Sequence, residues 1–195
     1  MKKQISKLIT IFSFLLFSCD QDTELNRTIF VPDDDDKRLP AYSEWGYNSF
    51  GAEYDRDYFL ASQRIVPCKI MYENEQLRFS LNGIRSGTEM TLEFIFPVIQ
   101  MNDYKDLALL NDVEIDLTDD DCTVKIWQGE NETVLDVLNG KLHFKRTQLL
   151  YVDDSVNRVI LSGIFHVSFL QRGYPTNISN GRFDLGMTNM YFYTQ

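Results

Sequence analysis

The chain has 195 residues and a formal net charge of −10, with 29 acidic side chains against 19 lysines and arginines. That balance disfavours nucleic acid and anionic lipid headgroups as partners, since both are recognised through a basic footprint. A hydrophobic content of 44% is enough to build a real core in one domain of about 150 residues.

Lys2, Lys3 and Lys7 precede the apolar run Leu8 to Phe17. As a helix that run would cover about 15 Å of a hydrocarbon layer about 30 Å thick, so it has the length of a signal-peptide core and not of a membrane span. The following Leu16-Phe17-Ser18-Cys19 resembles the lipobox of bacterial lipoproteins. The resemblance implies that residues 1–18 are a cleaved signal peptide and that the Cys19 thiol carries a diacylglyceryl group, tying the mature chain to a membrane. Loss of the three leader lysines takes the net charge to −13. Asp20, Gln21, Asp22 and Glu24 resemble the surface-export signal of Bacteroidetes lipoproteins, which implies an outer-membrane location with the domain facing outward. In enterobacteria an Asp in that place implies retention at the inner membrane, so a periplasm-facing domain is the alternative.

Residues 19–42 are polar and include the run Asp33 to Asp36 before Lys37 and Arg38. Such a composition predicts an acidic flexible tether, because little apolar surface is available to offset the entropy of ordering. Asp33 to Lys37 also matches an enteropeptidase recognition string. Residues 43–195 then form a single β-rich domain.

Across that domain the apolar period is two, the pattern of strands with one buried face. Leu77, Phe79 and Leu81 alternate with Arg78 and Ser80, and Leu142 and Phe144 with His143 and Lys145. Leu161, Gly163, Phe165, Val167 and Phe169 share one parity. Asn82-Gly83, Asn139-Gly140 and Asn180-Gly181 are predicted hairpin turns, the middle one joining Val134–Leu138 to Lys141–Thr147. Asp103 to Leu110 is the one predicted short helix, with Asn102 as its cap. The fold class expected is all-β, an antiparallel β-sandwich or partly open barrel with at most one short helix near 103–110.

Near the C-terminus, Val159 to Val167 contains Ser162-Gly163-Ile164-Phe165, and Ile178 to Leu185 contains Gly181-Arg182-Phe183-Asp184. The pairing of a Ser-Gly-x-Phe strand with a Gly-Arg-Phe-Asp strand resembles small Bacteroidetes surface lipoproteins. Ser49-Phe50-Gly51-Ala52 is similar to the strand that opens those domains. The resemblance implies a β-sandwich-like envelope domain and brings no catalytic residues.

Few residues suggest a reaction. His143 and His166 each fall on the polar side of a strand, and no His-x-x-x-His or Cys-x-x-Cys spacing points to zinc. No nucleophile elbow or phosphate loop is present, and no cofactor is expected. In an exported chain Cys68 and Cys122 are a candidate disulfide, the alternative being two free buried thiols. Candidate ligand aromatics are Trp45, Tyr47 and Trp127, with Tyr54 and Tyr58 near the first two. Asp154-Ser155-Val156 resembles the Bacteroidetes O-glycosylation acceptor. The function expected is a non-enzymatic binding module for a glycan or an envelope protein. An accessory subunit of an outer-membrane assembly is the alternative, and a glycoside hydrolase using paired carboxylates a remote one.

Overall fold

The computed structural model describes residues 27–194. The expected signal peptide, Cys19 and the first part of the expected tether lie outside the described residues. Twelve strands follow in order: β1 (Ser49–Tyr54), β2 (Asp57–Ala61), β3 (Cys68–Glu73), β4 (Gln76–Arg85), β5 (Thr88–Pro97), β6 (Val113–Asp116), β7 (Thr123–Gln128), β8 (Asn131–Val134), β9 (Asp136–Val152), β10 (Ser155–Gln171), β11 (Tyr174–Met187) and β12 (Phe192–Thr194). They make one continuous, unclosed sheet in the order β6-β9-β10-β11-β1-β2-β4-β5-β7-β8, with β3 branching from β4 and carrying β12 as a parallel edge. Every other pairing is antiparallel.

The sheet folds over so that its inner face meets itself, as the all-β reading expected. Phe79 of β4 packs on Phe144 of β9 and Phe183 of β11, at centroid separations of 5.3 and 5.1 Å, and Phe94 of β5 packs edge-on against Phe165 of β10. These rings come from the alternating positions, so period-two patterning places them in one core between two layers. Leu161, Gly163, Phe165, Val167 and Phe169 are all buried on that face.

The Asn-Gly pairs are not turns. All three lie inside strands, and four of the two-residue turns, Asn74-Glu75, Ser86-Gly87, Asp153-Asp154 and Arg172-Gly173, have both φ angles positive. Asn and Asp tolerate that region, which is why short polar pairs without Asn-Gly serve here. Two of these glycines, with Gly163, have another task. A Cβ on Gly83, Gly163 or Gly181 would stand 2.5–2.7 Å from a ring atom of Phe50, Phe183 or Phe165, because each ring folds over a glycine of a nearby strand.

The short helix is present as a 3₁₀ helix, Tyr104–Leu110, capped by Asp103 in a reciprocal capping box with Asp106. Asn102 is not its cap. Leu107 and Leu110 anchor it on the core.

The tether also needs correction. From Thr28 onward it is part of the fold. Val31 and Ala41 are joined by a backbone hydrogen bond, Asp33 and Leu39 by another, and Leu39 is buried. Composition missed this because one leucine, two prolines and a set of charge contacts replace a broad apolar face.

Cys68 and Cys122 are free thiols, so the candidate disulfide is not formed. Cys68 opens β3 and Cys122 precedes β7, with β4 and β5 between them in the sheet. Three strand spacings amount to about 14 Å, whereas a disulfide needs Cα atoms within about 7 Å. Burial pushes the Cys68 thiol well above its usual range. Partial burial and then Asp119, Asp121 and Asp116 push Cys122 up to about 11. Neither thiol is primed for attack.

Candidate functional site

The outer face of β9, β10 and β11 holds a groove of about 620 Å³. Its origin is a defect in the ladder. Phe165 faces Gly181 and Val167 faces Ile178, so β11 carries one extra residue opposite His166, and Asn180 takes a positive φ to make the bulge. A bulge bends its strand and re-aims its side chains, and such defects are common beside binding sites.

Cross-strand register sets the lining. Glu114, His143, Ile164 and Arg182 stand in one row across β6, β9, β10 and β11, while Asp116, Lys141 and His166 form the next. Ile164 is an exposed apolar floor. Around it lie His143, His166, Lys141, Arg182 and the uncharged Ser168, Asn177, Ser179 and Asn180, with Tyr42 reaching in from the N-terminal segment.

The charged members are held by partners. Lys141 donates to Glu114, which holds the Glu114 carboxyl below its usual range and raises the lysine. His143 Nε2 lies 3.0 Å from Asp112 Oδ1. Arg182 pairs with Asp33 at 2.6 Å. Tyr42 donates to Glu44, with the Lys145 ammonium 4.9 Å from the ring centre, and burial followed by that hydrogen bond raises its phenol. Glu114 is thus an ionised acceptor and ill suited to donate a proton as a general acid. The groove can offer amides, hydroxyls, imidazoles and one apolar contact to a polar ligand.

Above the groove, the N-terminal segment is clamped across β10 and β11. Asp184, 2% exposed, accepts hydrogen bonds from the Trp45, Gly46 and Tyr47 amides and from the Ser43 and Ser162 hydroxyls. Nearby, Asp33 Oδ1 accepts from the amides of Asp35 and Asp36, and Arg38 is bidentate to Asp36 while its guanidinium stands 4.4 Å from the Tyr58 ring centre. A Cβ on Gly51 would strike the Pro40 ring, so a bare strand position seats that proline. Arg182 and Asp184, singled out by the Gly-Arg-Phe-Asp strand, are therefore the two clamps.

The sequence candidates do not converge. Trp45 is exposed on the clamped segment and Tyr47 is half-buried beside it, while Trp127 is half-buried on the outer face of β7, beside Asn82 and Thr91 in the other layer. Tyr54 is in the core against Phe169, and Tyr58 is covered by Arg38. Both histidines, expected on the polar sides of their strands, share the groove. Counting register between β9 and β10 would have shown this. Tyr42 could not be found that way, since it arrives from a segment read as tether. Ser155 lies exposed at the β9–β10 turn.

Among the described residues no helix is long and apolar enough to cross a membrane, and no group of three or more His, Cys, Asp or Glu could hold a metal ion. No protein-family profile, curated protein or solved structure matches the chain.

Proposed function

We propose that this chain is an outer-membrane lipoprotein, anchored through Cys19, whose β domain binds a glycan without chemical turnover in the groove along β9–β11. The observation that carries the reading is the bulge at Asn180, which gathers Ser168, Asn177, Ser179, Asn180, His143 and His166 around the apolar Ile164. Sugars present hydroxyls at their rims and C–H faces at their centres, and such a lining suits both. The ion pairs at Lys141 and Arg182 support fixed side chains, which lowers the entropy lost on binding.

A glycan array probed with soluble chain beginning after Cys19, followed by calorimetry on any hit, tests this. Binding that falls about tenfold in Asn177→Ala and His166→Ala is expected. A hit unaffected by both substitutions would remove the groove from the reading, and an empty array would remove the glycan.

A second reading has its own observation. Leu150, Tyr151 and Val152 are exposed together at the tip of the long β9–β10 hairpin, which suits an accessory subunit docking to an envelope protein. Recovery of one outer-membrane protein in a crosslinking pull-down, lost in Tyr151→Glu, would favour it.

A further inference from the structure

The described residues begin close to the anchor position. From Cys19 to Arg27 is eight residue steps, a reach of at most about 28 Å when fully extended. The tether expected from composition was three times that number of residues, and its second half has turned out to be the clamped segment. A domain on so short a leash stays near the surface that holds the lipid.

What stands at the end of the leash is apolar. Ile29, Phe30 and Val31 are 46, 45 and 43% exposed, and Trp45 is 73% exposed. The hydrogen bond from Ile29 N to Tyr47 O sets the two segments side by side, with Trp45 two residues further on. Asp184 fixes the backbone of Trp45 itself. Four exposed apolar side chains thus stand on two segments tied side by side, and the indole is among them. Indoles prefer the polar–apolar boundary of a lipid layer.

We propose that Ile29, Phe30, Val31 and Trp45 form a membrane-seating surface, which dips into the headgroup–acyl boundary of the zwitterionic phospholipid layer that carries the Cys19 lipid. The proposal rests on the anchor reading. The lipid chemistry follows from charge: Asp33 to Asp36 adjoin the patch, and the leash adds Asp20, Asp22 and Glu24, so an anionic surface would repel this end of the molecule. Apolar insertion beside neutral headgroups does not meet that penalty.

The test uses the full acylated chain in vesicles of phosphatidylethanolamine and phosphatidylcholine, with part of the phosphatidylcholine brominated. Two single-tryptophan variants divide the signal, Trp127→Phe reporting Trp45 and Trp45→Phe reporting Trp127 in the other layer. Trp45 emission is expected to be quenched by about half or more and Trp127 emission to be unchanged. Phe30→Glu should abolish most of the Trp45 quenching while leaving the unfolding midpoint in place, since Phe30 is exposed. Replacing about a third of the lipid by phosphatidylglycerol should weaken the quenching. Acylated protein whose Trp45 is quenched no more than Trp127 overturns the seating surface and leaves the anchor intact. A mature chain without acyl groups on Cys19 by mass spectrometry overturns both.

Discussion

The outer face of β4, β5 and β7 is registered without interruption, ten paired residues between β4 and β5 and five between β5 and β7. The outer face of β9, β10, β11 and β1 is broken by register shifts at every interface. The regular face pairs its charges within itself: Glu93 accepts from Arg78 and Ser80, and Lys125 pairs with Glu132. The broken face is covered at one end by the N-terminal segment and grooved at the other. Irregularity in the ladder thus goes with both of the features that look functional, the clamp and the groove.

The comparison breaks most sharply at Asp184. Asp184→Ala leaves three amides and two hydroxyls without their acceptor, and a loss of about 3–4 kcal/mol in urea unfolding is expected. A loss below about 1 kcal/mol would mean that the clamp adds little to the fold. Next comes Gly163→Ala, whose Cβ would stand 2.2 Å from the His143 carbonyl and 2.5 Å from the Phe183 ring. It should cost about 2–3 kcal/mol. Gly87→Ala in the β4–β5 turn meets no atom but must hold a positive φ, for about 1 kcal/mol.

A smaller effect is expected at Arg182. The Asp-Asp-Asp-Asp-Lys string is folded into a closed loop, so enteropeptidase should cut after Lys37 slowly, and Arg182→Ala should speed cleavage about tenfold by releasing Asp33. Acid should act in the same direction. Backbone amides and Arg182 hold Asp33 below its ordinary 3.8, and Arg38, its amide and Tyr58 hold Asp36 lower still. Depressed folded-state values contribute stability above pH 3.8 that is lost as pH falls below it through the folded values. Exchange of the Leu39 amide should therefore accelerate relative to that of Leu92 below pH 3.8, and an unchanged ratio would refute the linkage. Smallest of all is Lys125→Ala on the regular face, a half-exposed pair expected to change stability by less than about 1 kcal/mol.

Legibility in the sequence divides along the same line. The regular layer could be read from alternation alone, as Leu77, Phe79 and Leu81 show, and so could the inward parity of Leu161 to Phe169. Asn82-Gly83 and Asn180-Gly181 resemble turns because their glycines make room for a ring and Asn180 bends a strand, tasks that look like turn chemistry when strands are taken one at a time. His143 and His166 were placed on the correct side of their strands, but their meeting depends on register. The clamped segment was the least legible. Its stability comes from Asp184 and Arg182, about 140 residues away in the chain, and composition carries no trace of such contacts.

The parallel pairing of β12 with β3 has a consequence in time. Strand β3 gains its second neighbour only from residues 192–194, and β1 waits for β11 before it has a partner on that side. Contacts so distant along the chain form slowly, since a long loop must close before any of them contributes. A chain emerging from the ribosome therefore leaves β1 and β3 each short of a neighbour until β11 and β12 have followed.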